Sequence, residues 1–157
     1  QGLLDADGKP LGNMTGQCAT GFVFVEPMIE QLKFFAPKVK KILIPYNPTG
    51  LGGTLEEYRQ YMGQEMEKRG YIVSEVKVFH SNDVVQKIQP FIAGVDMVWL
   101  LPDATTCDAL EGIGKLCAQH QKFTYVTMNL NRLGDGAALA FGLSPPFDGR
   151  LLIEQLF

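Results

Sequence analysis

Lys41-Ile42-Leu43-Ile44-Pro45-Tyr46-Asn47-Pro48-Thr49-Gly50 is the stretch that decides how this chain is read. Ile42 to Tyr46 form a short apolar run of buried-strand type, Asn47 to Gly53 form a polar, turn-forming loop, and a helical pattern opens at Thr54. In an open α/β sheet the loop beyond a strand's carboxyl end faces the ligand crevice. Functional groups are therefore sought first in this loop and in others like it.

Working outward, the pattern repeats. Residues 26–36 read as a short helix, with Pro27 in its first turn and Pro37 as its stop. The helix after the strand runs from Thr54 to Lys68, with Thr54 and Glu57 as a capping-box signature and Gly70 as its end. Tyr71 to Phe79 alternates as a partly exposed strand near a sheet edge, and Ser81 or Asn82 caps a second helix through Ile92, made irregular by Pro90. Val95 to Leu101 has no wet face and reads as the central strand. A third helix extends to about His120, Phe123 to Met128 is a fourth strand, Ala137 to Phe141 a weaker fifth, and a helix begins at Phe147. Strand starts about 24 to 29 residues apart match successive βαβ crossovers, so the expected fold is a three-layer α/β domain with a mainly parallel sheet.

At 157 residues the chain fits one such domain. Residues 1–20, rich in Gly and turn formers, read as an N-terminal loop or inter-lobe connection, and 21–157 as a single α/β ligand-binding lobe. A net charge of -3 with 14 Lys and Arg gives no electrostatic case for nucleic acid or anionic membrane as the main partner. Residues 1–20 lack the basic start and apolar core of a signal peptide, and no apolar run approaches the ~18 residues of a membrane span. Cys18, Cys107 and Cys117 form neither a disulfide framework nor a zinc pattern.

The loops carry the candidate chemistry. In a parallel sheet 47–53, 102–106 and 129–131 emerge on one side, bringing amides, hydroxyls and one carboxylate together to orient a small polar molecule. Asn47 and Asp103 lead the ligand-binding candidates, with capping or turn stabilisation as the other role open to each. Tyr46, last in its strand, is placed to wall the pocket. Gly50-Leu51-Gly52-Gly53-Thr54 completes neither a Walker loop nor Gly-x-Gly-x-x-Gly, and His80 and His120 stand in no ligand spacing, so neither cofactor nor metal is expected. No Gly-x-Ser-x-Gly is present, and Asp103 and Asp108 are not spaced as a carboxylate pair, which argues against an enzyme.

Asn13-Met14-Thr15-Gly16, Gln31-Leu32 before Pro37-Lys38-Val39-Lys40-Lys41-Ile42, and Tyr46-Asn47-Pro48 together resemble the ABC transporter substrate-binding proteins related to tryptophan and tyrosine uptake components. Gly94 to Thr105 and Gly134 to Gly142 resemble that family's later strand and ligand-loop segments. The resemblance covers roughly residues 12 to 153. It implies a flavodoxin-like, Rossmann-like lobe of a type I periplasmic-binding fold: the second lobe, with the N-terminal lobe outside this sequence. It further implies an extracytoplasmic protein that captures a small polar solute, such as an amino acid, and delivers it to permease membrane subunits. Asn47, Thr49, Asp103 and Thr105 are the pocket residues it points to, with Asn129 behind them. The alternative reading is a metabolite-sensing or dimerising interaction domain, a homodimer formed through Phe34, Phe35 and the apolar Leu152 to Phe157 pattern.

Overall fold

The computed structural model describes residues 24–127 and 135–142, apart from the side chain of Leu51. The expected N-terminal loop, Asn129 and the helix from Phe147 lie outside the described residues. Helix α1 (Val25–Phe35) leads into strand β1 (Lys41–Tyr46), followed by α2 (Thr54–Lys68), β2 (Ile72–Lys77), α3 (Val84–Ile88), β3 (Met97–Leu100), α4 (Ala104–Cys107), α5 (Leu110–Gln119), β4 (Phe123–Thr127) and β5 (Leu139–Phe141). The five strands form one sheet in the order β2-β1-β3-β4-β5, and every pairing is parallel.

Period-two alternation along the strands builds both cores. Ile42, Ile44, Tyr46, Met97, Trp99 and Tyr125 face one side and pack with Met28, Ile29 and Leu32 of α1 and Leu55, Tyr58, Met62 and Met66 of α2. Leu43, Val98, Leu100 and Val126 face the other, against Val84 and Ile88 of α3 and Leu110, Ile113 and Cys117 of α5. Two helical layers thus sandwich the sheet, and all of β3 is buried because both its faces are covered. β2 is an edge strand and keeps an exposed Ile72.

Three local expectations are corrected. The N-cap of α2 is Gly53, at φ 90 and without a side-chain cap bond, and Thr54 is already helical, so the Thr54–Glu57 capping box does not form. The second helix has no side-chain cap from Ser81 or Asn82; 3-10 turns at Ser81–Asp83 and Gln89–Gly94 flank a short α3, the latter with Pro90 in its opening. The third helix is two pieces, α4 and α5, separated at Asp108 and Ala109. One approach was invisible beforehand: a Cβ on Gly114 of α5 would stand 2.7 Å from the Gly136 carbonyl oxygen, and Gly136 sits at φ +112. Only glycines let the segment before β5 run this close to the helix.

Candidate functional site

The chain winds from β1 outward to β2, then returns to place β3 on β1's other side. The connections leaving β1 and β3 therefore diverge, and it is beyond the carboxyl ends of two such strands that open α/β sheets form their ligand crevice. Asn47 follows β1 directly, and Asp103 lies three residues beyond β3.

The structure joins them. The Asn47 backbone N–H donates to Asp103 Oδ2 at 2.9 Å, and the Asn47 side-chain amide donates to Thr105 Oγ1 at 2.9 Å. The Thr49 N–H and hydroxyl both donate to Asn47 Oδ1, at 3.0 and 2.8 Å. The second Asp103 oxygen accepts the Thr105 N–H at 3.1 Å and so caps α4. Asn47, Thr49, Asp103 and Thr105 thus form one hydrogen-bonded group although 56 residues separate its two leading members in sequence. Asp103 is only 3% exposed, so its charge is held by backbone donors from two loops. By valence the Thr105 hydroxyl keeps a hydrogen to donate, and the Asn47 amide a second N–H.

Gly50 closes the back of this loop. A Cβ there would lie 3.1 Å from Leu55 Cδ2 and 3.3 Å from Asp103 Oδ1, which leaves little room for a side chain. Beside the crevice, the buried Thr127 hydroxyl at the end of β4 donates to the Leu100 carbonyl at 2.9 Å, tying the neighbouring strand ends.

Tyr46 is fully buried, on the face shared with Ile42 and Ile44. The Arg59 guanidinium lies 5.2 Å from its ring centroid. Burial, together with the nearby Glu56 carboxylate, pushes the Tyr46 phenol up to about 12. The ring belongs to the layer that α1 and α2 pack against.

At the opposite end of the sheet, Asp96 Oδ2 accepts the N–H groups of Lys40 at 2.9 Å and Lys41 at 2.8 Å. Burial would raise this carboxyl, but the Lys41 and Lys40 donors outweigh it and hold it below the usual aspartate value. This tie was not foreseen; the signal available was an aspartate placed just before the central strand. An open groove of about 670 Å³ lies elsewhere, along α5 beside Asp135 and Gly136, with Glu111 and Lys115 on its rim paired to each other at 2.6 Å. Among the described residues, no group of three or more His, Cys, Asp or Glu could hold a metal ion, and no helix is long and apolar enough to cross a membrane.

No protein-family model matches the chain. Over 142 residues it is 22% identical to a "Tyrosine-binding protein" of Clostridioides difficile, a match covering 90% of this chain and 40% of that protein. Among solved structures, an ABC domain in complex with L-Trp from Streptococcus pneumoniae superposes with TM-score 0.68 at 18% identity, covering 84% of this chain and 45% of the other. A periplasmic sugar-binding protein of an ABC sugar transporter from Legionella pneumophila gives TM-score 0.66 at 17% identity, covering 88% and 55%. The chain has the α/β fold of one lobe of a periplasmic-binding protein. The chain spans about half the length of these two solved structures and 40% of the tyrosine-binding protein.

Proposed function

We propose that this chain is the ligand-binding lobe of an extracytoplasmic ABC-transporter substrate-binding protein that captures an amino acid or related small solute and passes it, chemically unchanged, to permease membrane subunits. The observation that carries this reading is the hydrogen-bonded Asn47–Thr49–Asp103–Thr105 group at the point where the strand order reverses. A buried carboxylate suits a ligand ammonium, while the Thr105 hydroxyl and Asn47 amide suit its other polar atoms. The names of the tyrosine-binding relative and the L-Trp complex favour an aromatic amino acid. A second lobe closing over the crevice would remove the solute from water and create the surface a permease reads.

Isothermal titration of the natural full-length polypeptide against a panel of amino acids, sugars and short peptides tests the proposal. We expect saturable binding of one amino-acid class without turnover. Asp103→Asn should cost about 1 to 3 kcal/mol of that binding while folding changes less. Unchanged affinity with a lowered melting temperature would assign Asp103 to capping alone. Product formation from a screened compound would replace the transport reading with an enzyme.

A second reading rests on Phe34 and Phe35, which are 78% and 61% exposed and meet edge to face. Such an apolar pair favours a dimerising or sensing domain. Solution mass measured across a concentration series separates the two readings, since a tight dimer without solute binding supports the second.

A further inference from the structure

The carboxyl end of β1 is held from behind by a cluster that the ligand reading does not itself use. Arg59 sits in the second turn of α2 with a side chain only 12% exposed. One of its terminal nitrogens donates to Glu56 Oε1 of the first turn at 2.7 Å, and the other donates to Glu75 of β2. Its guanidinium also lies 5.2 Å from the Tyr46 ring centroid, so a single side chain grips β1, α2 and β2 together. Tyr46 is the residue before Asn47, and its carbonyl accepts the Val78 N–H at 2.9 Å. Glu56 adjoins Leu55, whose methyl backs Gly50, and Gly50 in turn lies against Asp103.

We propose that Arg59 is a positioning residue for the crevice: by fixing Tyr46 and the first turn of α2 at once, it sets where the Asn47–Gly50 loop meets Asp103. The inference rests on the transport reading for its consequence in affinity, but not for its geometry. An arginine is suited to the task because its planar fork reaches two carboxylates from different elements while its face covers an aromatic ring. A lysine keeps the charge and loses both the fork and the stacking. The effect passes through Tyr46 and Leu55.

The test compares Arg59→Met, Arg59→Lys and Asn47→Ala in the full-length polypeptide, with L-tyrosine and L-tryptophan as probes. Without ligand, the Asn47 backbone and side-chain amide resonances and those of Asp103 and Thr105 should move in Arg59→Met, and less in Arg59→Lys. Affinity in Arg59→Met should fall roughly tenfold, the scale on which loss of a supporting contact acts at other sites, measured well below the melting temperature. Arg59→Lys should recover part of it. If Arg59→Met does not fold, Glu75→Gln releases one arm of the fork, and the same resonances should move by a smaller amount. A lowered melting temperature with these resonances unmoved and affinity within twofold of the parent would overturn the proposal and make Arg59 purely structural. The two readings fail differently: Asn47→Ala leaving tyrosine or tryptophan binding intact defeats the ligand site itself, whereas loss of binding in Asn47→Ala with Arg59→Met unaffected defeats only the positioning role.

Discussion

Two aspartates join β1 to β3 at opposite ends of the sheet, and they do so with unequal means. At the amino end one oxygen of Asp96 takes both backbone N–H groups of Lys40 and Lys41. At the carboxyl end Asp103 divides its oxygens, one for the Asn47 N–H and one for the start of α4, and the side chains of Asn47, Thr49 and Thr105 then bond to one another. The first arrangement ties two strands through backbone donors to a single carboxylate oxygen. The second holds two strands through a network of side chains in which, by valence, the Thr105 hydroxyl hydrogen and a second Asn47 amide N–H are left to donate, the kind of group the proposed recognition site would use.

The sharpest way to break this comparison is to remove each carboxylate. Asp103→Ala strands two N–H donors around a residue that is itself buried, and should cost about 1.5 to 5 kcal/mol of folding stability, allowing about 1 to 3 for the stranded Asn47 donor and about 0.5 to 2 for the lost α4 cap. Asp96→Ala leaves donors near solvent, where water replaces the carboxylate, and should cost about 1 kcal/mol. Urea denaturation of both variants measures the difference. Equal losses would mean that burial does not distinguish the two ends.

A smaller effect sharpens the comparison through pH. The folded-state pKa of Asp96 is depressed, so its contribution to stability is fully present above the unfolded aspartate value of about 3.9 and disappears as pH falls through the lower folded value. The stability gap between the parent and Asp96→Asn should therefore be constant from pH 5 to 7, on the order of one pKa unit above that value, and close on further acidification. A gap that widens in acid would reverse the assigned sign.

The fold was legible because hydrophobic periodicity is local. Thr54–Lys68 could be bounded from its own residues, and the absence of a wet face from Val95 to Leu101 already marked the central strand. The breaks were less legible. Thr54 resembles a cap by type, but the turn needed a residue at positive φ and Gly53 took the position. Asn47, Thr49, Asp103 and Thr105 could be nominated from their places after strands, whereas the bonds among them depend on the β1–β3 pairing, which no local pattern encodes. Tyr46 carried a usable signal: as the third alternate residue after Ile42 and Ile44 it had to share their buried face. Its ring therefore turned inward to Arg59. Contacts such as Gly114 with Gly136 and Asp96 with Lys41 join segments that only the folded topology brings together.

The central claim is that solute recognition belongs to the carboxyl end of β1 and β3. Amide chemical-shift mapping of the full-length polypeptide, titrated with L-tyrosine, tests it most directly because both aspartate ties report in one spectrum. The account predicts saturable shifts concentrated at Asn47, Thr49, Gly50, Asp103 and Thr105, with Lys40, Lys41 and Asp96 still. Saturable shifts at Lys40, Lys41, Asp96 and Lys122, with residues 47–50 and 103–105 unmoved, would contradict it.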